Sequence, residues 1–157
     1  MKKLVVMRHA EAGQADRDFD RPLTDYGRAQ AASTASQLSE KIEADYMIVS
    51  SAKRTRETSS FLIQELALKE NQYRNEDKVY EASTQCLSSV IATFPNNTET
   101  AVLVGHNPAV SSLVSSLTGT YEGFSTGTAV ILEIESDEWQ TVLYSKVSLI
   151  EKILPHI

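Results

Sequence analysis

Cysteine is almost missing from this chain of 157 residues; Cys86 is the only one. A lone cysteine forms no internal disulfide and cannot supply the thiolates of a structural zinc site. Proline and glycine are sparse, at four and six residues, which excludes collagen-like and low-complexity segments. Long apolar runs are missing too. Met1 to Met7 holds two lysines and a short apolar stretch, then meets Arg8, His9 and Glu11 directly. A secretory leader needs a longer apolar region and a small-residue cleavage site, and no window reaches the length of a membrane span. Positive charge is scarce, with 15 Lys and Arg against 21 Asp and Glu and a net charge of -6. No Lys/Arg run offers a basic face for nucleic acid. A few focused arginines on an acidic chain suit a small anionic group bound at one point. These absences lead to the expectation of a cytoplasmic protein with no membrane or nucleic-acid partner and no cofactor.

What is present suits one domain, residues 1–157, large enough to bury a core without disulfide or metal. Three continuous apolar runs stand out: Leu4 to Met7, Tyr46 to Val49 and Ala101 to Val104. Continuous rather than alternating runs are the pattern of strands covered on both faces, as in a parallel sheet. Helical patterns follow them. The first starts at Thr24, a fitting N-cap, with Ala31, Ala32, Ala35, Leu38 and Ile42 on its apolar face. The second is predicted over 53–68, with Thr58, Phe61, Leu62 and Leu66 on one face. The third carries Leu87, Val90, Ile91 and Phe94. The fourth opens with Asn107 as N-cap and Pro108 at the first helical position, and Gly119 closes it. Residues 129–134 and 139–147 read as two strands of a hairpin joined through Ser136-Asp137-Glu138, and 71–78 as a polar connection. The alternation of strand and helix predicts an α/β fold.

Ligands of open α/β sheets sit beyond the carboxyl ends of the strands. Here those ends carry Arg8-His9-Ala10-Glu11, then Ser50-Ser51-Ala52-Lys53-Arg54-Thr55, then Gly105-His106-Asn107-Pro108. Two of the three histidines and two arginines thus fall just past strand ends. The chemistry fits phosphoryl transfer. Arginine offers a permanently charged planar fork of donors that matches phosphate oxygens. A neutral imidazole can attack phosphorus and form a covalent intermediate. A second imidazole, if protonated, can donate to an equatorial oxygen, and the start of the following helix adds N–H donors.

These residues resemble a known signature. Arg8-His9, Leu23-Thr24-Asp25-Tyr26-Gly27-Arg28-Ala29-Gln30-Ala31, Ser51-Ala52-Lys53-Arg54-Thr55-Arg56-Glu57-Thr58 and Gly105-His106-Asn107-Pro108 resemble, in order and spacing, the motifs of the histidine phosphatase superfamily. The short length and Asp20-Arg21-Pro22-Leu23-Thr24 look most like its SixA-type phosphohistidine phosphatases. The resemblance implies a phosphoglycerate mutase-like fold, a three-layer α/β/α sandwich with a mostly parallel central sheet. It implies a metal-independent phosphatase with His9 as the transiently phosphorylated nucleophile. Arg8, Arg54 and His106 would bind the phosphoryl oxygens. The family's common motif has glycine after the histidine, where this chain has Ala10. Larger members carry a general acid on an inserted segment, for which residues 69–85 leave little room. Glu81 or Glu11 could take that place. Arg21 contacts substrate or pairs with Asp18 or Asp20 in a loop. A missing acid matters less for phosphohistidine than for an alkyl phosphate, because a protonated imidazole leaves as a neutral ring.

The expected partner is a phosphorylated protein, such as a histidine-containing phosphotransfer domain carrying phosphohistidine. A small phosphomonoester is the alternative within enzymes. A non-catalytic phosphate- or phosphoprotein-binding module is the alternative of another class. Metal hydrolysis finds no His-x-x-x-His or His-x-His spacing. Cys86 reads as small core filler, His156 as exposed and idle, Arg56 as a solvated charge, and Gly27 as a point of close packing.

Overall fold

The computed structural model describes residues 1–157. The apolar runs do become strands: β1 (Lys2–Arg8), β2 (Tyr46–Ser50) and β4 (Thr100–Gly105). Leu4, Val5, Val6 and Met7 have no solvent exposure at all, as double-sided burial demands. Six strands form one sheet in the order β3-β2-β4-β1-β5-β6. The first four are mutually parallel. β5 (Ala129–Ile134) runs antiparallel to β1, and β6 (Val147–Ile153) antiparallel to β5.

Alternate strand residues face opposite layers. Val5, Met7, Met47, Val49, Val102 and Val104 pack with Ala35 and Leu38 of α1 (Asp25–Ser39) and Leu62 of α2 (Lys53–Glu65). Leu4, Val6, Ile48 and Leu103 pack with α3 (Thr84–Ile91) and α4 (Ala109–Thr118) through Leu87, Val90, Val110 and Leu113. The result is the expected three-layer sandwich with a mostly parallel sheet. No helix is long and apolar enough to cross a membrane.

Local chemistry sets several boundaries. Thr24 caps α1, its hydroxyl accepting from the Gly27 N–H. Gly119 closes α4 in the left-handed conformation, φ 76°, where a residue without Cβ fits.

Five local expectations need correction. Residues 71–78 are more than a connection, since Tyr73–Glu76 form β3, a parallel edge strand on β2. Its mostly polar side chains gave no apolar signal; backbone pairing to β2 places it, with Tyr73 packed against the core on the α1 and α2 side. The second strand of the hairpin is not 139–147. Residues Trp139–Tyr144 form a 3-10 turn that buries Trp139 and Val142, and β6 starts only at Val147. Trp139 Nε1 donates to Thr98 O at 2.9 Å and its ring lies 5.1 Å from that of Phe94, so burial draws the segment out of the sheet. Asn107 does not cap α4: its Oδ1 accepts from no helix N–H while its Nδ2 donates to Phe124 O, and Pro108 stands at the N-cap rather than at the first helical position. Ala32 lies on the exposed side of α1. Cys86 is only half-buried, with Sγ bonded to Lys78 O at the surface of α3.

Candidate active site

Because β2, β4 and β1 are neighbours and parallel, their carboxyl ends open on the same edge of the sheet. That brings Arg8 and His9, Ser50 through Arg54, and His106 to one place. The backbone at His9 is pinned from both sides: its N–H donates to Gly105 O at the end of β4, and its carbonyl accepts from Gly127 N–H before β5, each at 3.0 Å. Ala10 N–H donates to Thr58 Oγ1, whose hydroxyl donates to Arg54 O. One threonine of α2 thereby ties the His9 loop to the turn that carries Arg54. Ala10, in the family's glycine position, is fully buried beside Leu23 and Ala31.

The His9 ring has a defined tautomer. Nδ1 lies 2.7 Å from Ala10 O. A carbonyl oxygen only accepts, so Nδ1 carries the hydrogen and Nε2 keeps its lone pair. Burial pushes the His9 pKa down to about 4, aided by the charges of Arg54, Arg8 and Arg21 and opposed by the Ala10 hydrogen bond. The ring is therefore neutral at physiological pH, and Nε2 is a competent nucleophile.

Around it stands a cluster of donors. The rings of His9 and His106 are 5.3 Å apart. Arg8 Nη1 donates to Phe124 O at 2.9 Å, and Asn107 Nδ2 reaches the same carbonyl at 3.1 Å. Burial lowers the Arg8 pKa. Four buried side-chain polar atoms in the protein lack a partner, and all four belong here: Arg8 Nε, Arg54 Nε, His106 Nδ1 and Asn107 Oδ1. An unpaired buried donor costs roughly 1–3 kcal/mol. The three that can donate, Arg8 Nε, Arg54 Nε and His106 Nδ1, mark a site built for an anion rich in acceptor oxygens, whereas Asn107 Oδ1 only accepts. The condition set for His106 as a charged donor is not met: burial, then His9 and the arginines, hold its pKa at about 3, so the ring is neutral.

A cleft of about 340 Å³ opens at His106, lined by Asp18, Arg54, Tyr80, Glu81, His106 and Asn107 among others; Arg8 and His9 are not in its wall, and the His9 ring stands 5.3 Å from that of His106. Pro108 and Ala109 also line it, which turns the start of α4 toward any bound anion. The largest cavity, about 570 Å³ between α3, α4 and residues 139–144, lies elsewhere and has no histidine, carboxylate or basic side chain in its wall. The chemistry decides for the smaller cleft.

Glu81 reaches the cleft edge, in a backbone of φ 55° that a non-glycine residue rarely adopts. Glu11 does not line it. Its Oε1 accepts from the Thr24 hydroxyl at 2.8 Å, which makes it a tie between the His9 loop and α1 rather than a proton donor at the cleft. Arg21 pairs with Asp18 at 3.2 Å and donates from Nε to Gly13 O, while its charge is still felt at His9. No group of three His, Cys, Asp or Glu is arranged to hold a metal ion.

Sequence reading gave Asp18 only as a loop partner for Arg21, a pair the structure has, and gave Tyr80 no role. The Asp18 carbonyl accepts from Arg54 Nη1 at 2.8 Å and its carboxylate from Nη2 at 3.1 Å, so both terminal nitrogens of Arg54 are taken. Tyr80 donates to the same carboxylate at 2.7 Å and meets the His106 ring edge-on. The Tyr80 bond, then Arg21 and Arg54, hold the Asp18 pKa at about 2 against some desolvation, and the same bond raises that of Tyr80. No local pattern announces a carboxylate that finds its arginine 36 positions away.

Comparisons with known proteins agree with this geometry. The family model of the histidine phosphatase superfamily (branch 1) matches residues 4–83. Two solved structures, each described as a "putative phosphohistidine phosphatase SixA", are similar over nearly the whole chain. That from Nakamurella multipartitia is 26% identical with a TM-score of 0.87, covering 98% of this chain and 96% of its own. That from Agrobacterium tumefaciens is 25% identical with a TM-score of 0.82, covering 98% and 99%. The protein histidine phosphatase SixA complexed with tungstate shares the fold, with a TM-score of 0.84 at 21% identity. An uncharacterized chloroplastic protein of Arabidopsis thaliana is 29% identical over 151 residues, which are 88% of this chain and 69% of that one.

Proposed function

Since the chain belongs to the histidine phosphatase superfamily, we propose that it is a metal-independent phosphatase that removes phosphate from a protein phosphohistidine. One observation carries the reading: the free Nε2 of a neutral, buried His9 stands among donors that have no partner within the protein. Nε2 attacks phosphorus, the bond from phosphorus to the substrate nitrogen breaks, and the protonated substrate imidazole departs as a neutral ring. Arg8, Arg54 and His106 hold the phosphoryl oxygens through the transfer. Water then attacks phosphorus, the bond to Nε2 breaks, and His9 regains its lone pair while the water proton leaves with phosphate or solvent. Preorganised donors of this kind are worth ~3 kcal/mol each, so Arg8→Ala or Arg54→Ala should slow the reaction about 100-fold or more.

The protein substrate is supported by the likeness to the two SixA-described structures, which cover this chain almost end to end at 26% and 25% identity. A histidine-containing phosphotransfer domain is the partner class this implies. One sheet holds every strand, which supports treating residues 1–157 as one catalytic domain. A small phosphomonoester is the second reading, favoured by Glu81 at the cleft edge, where a carboxyl could protonate an alkoxide.

The test incubates the protein and His9→Ala with a phosphorylated phosphotransfer domain, chelator present, and follows phosphate release. Release by the parent alone supports the nucleophile and the substrate class together. Equal release by both would remove His9 from its role. Release only from small phosphomonoesters would select the second reading.

A further inference from the structure

We infer that Ser50 is a positioning residue that fixes the tautomer of His106, so that its ring presents an Nδ1–H to the phosphoryl oxygens. The inference rests on the phosphatase reading of the cleft and adds the means by which a ring that bears no charge serves as a donor there.

Ser50 ends β2 and has no solvent exposure. β2 lies beside β4 in the sheet, with Val49 level with Val104, so the residues that follow the two strands face each other. Ser50 Oγ lies 2.7 Å from His106 Nε2. The Ala52 N–H donates weakly to the same Oγ at 3.4 Å. A buried hydroxyl hydrogen needs an acceptor, and His106 Nε2 is the acceptor within hydrogen-bond distance of this one. Ser50 therefore donates, Nε2 keeps its lone pair, and the ring hydrogen sits on Nδ1. That nitrogen is buried and has no partner in the protein, while His106 lines the cleft with Arg54.

The charged and titratable groups around the ring come from every neighbouring element: Arg8 at the end of β1 and His9 after it, Arg54 of α2, Asp18 of the 3-10 turn before α1, and Tyr80 and Glu81 before α3. Burial among them keeps His106 neutral, so its donor cannot come from a second proton. It must come from the tautomer, and Ser50 selects that. Without the hydroxyl, the hydrogen can move to Nε2, and the cleft then faces a lone pair where an anion needs a donor.

The experiment reads the tautomer by nitrogen-15 NMR of labelled histidine in the free protein at neutral pH. It also measures affinity for inorganic tungstate as a tetrahedral oxyanion probe. In the parent, His106 should show hydrogen on Nδ1 and none on Nε2. Ser50→Ala should mix the tautomers and weaken tungstate about 10- to 100-fold. Ser50→Thr, which keeps the hydroxyl, should bring both readouts back toward the parent. Hydrogen on Nε2 in the parent overturns the inference. So does a Ser50→Ala protein with a single Nδ1–H tautomer and parental affinity. Neither readout uses turnover. A protein that released no phosphate from phosphohistidine would sink the substrate assignment and leave this one standing.

Discussion

At the scale of the residue, the cleft is a contest over one guanidinium. Asp18 holds both terminal nitrogens of Arg54 through its carbonyl and carboxylate, and a phosphoryl group needs the same fork. The Asp18 side chain is half exposed and sits on a short 3-10 turn, so solvent weakens its hold. Asp18→Asn should tighten inhibition by inorganic phosphate about fivefold, the size of a partly exposed charge interaction. Asp20→Asn, which removes a carboxylate bound only to Arg17, is the control. Equal tightening in both variants would mean that net charge matters and the Arg54 contact does not. A second residue-scale outcome concerns the imidazoles. An NMR titration should find His9 and His106 neutral down to pH values near 4 and 3. A midpoint near 6.5 for either would contradict the burial that keeps them unprotonated.

At the scale of the element, the junction between the His9 loop and α1 is close-packed. A Cβ on Gly27 would overlap the Glu11 carbonyl oxygen, a backbone atom that cannot swing aside. The Glu11 carbonyl accepts from Thr24 N–H, and its carboxylate accepts from the Thr24 hydroxyl. Glu57 of α2 closes the same corner by accepting from Leu23 N–H and Arg28. Gly27→Ala should cost about 1–3 kcal/mol of stability through overpacking and shift the loop that bears His9. Thr24→Ala loses a helix cap worth about 1 kcal/mol. Chemical denaturation of both decides. A Gly27→Ala protein as stable as its parent would show that α1 can slide away without cost.

At the scale of the whole molecule, the active site taxes stability in a pH-dependent way. His9 and His106 have folded pKa values of about 4 and about 3, against ~6.5 in the unfolded chain. Between those limits the unfolded chain binds more protons, so stability rises with pH. The contribution is fully present above ~6.5 and is lost as pH falls toward 4 and then 3. Each histidine adds a slope of at most ~1.4 kcal/mol per pH unit within the window. Urea midpoints measured at pH 7, 6 and 5 should fall steadily. A flat profile would mean that the two rings protonate in the folded protein as readily as in the unfolded one.

The sequence by itself determined the layers and which polar residues gather at the sheet edge. Continuous apolar runs have one stable solution, a strand buried on both faces, and the polar residues just past such strands must gather at a sheet edge once the strands are parallel. Arg8, His9, Arg54 and His106 were legible for that reason, and so were the Thr24 cap, the Gly27 contact and the Gly119 stop. Other features were decided only in three dimensions. β3 exists because β2 offers an open edge, and its side chains carry no apolar period. Residues 139–144 leave the sheet because Trp139 finds Phe94 and Thr98 O in another layer. Glu11 turned to Thr24, Asp18 to Arg54, and Ser50 to His106. Periodicity along a chain records which face is buried. It holds no trace of a hydrogen bond between polar groups tens of residues apart, which depends on where the folded backbone brings them and on the scarcity of water around them.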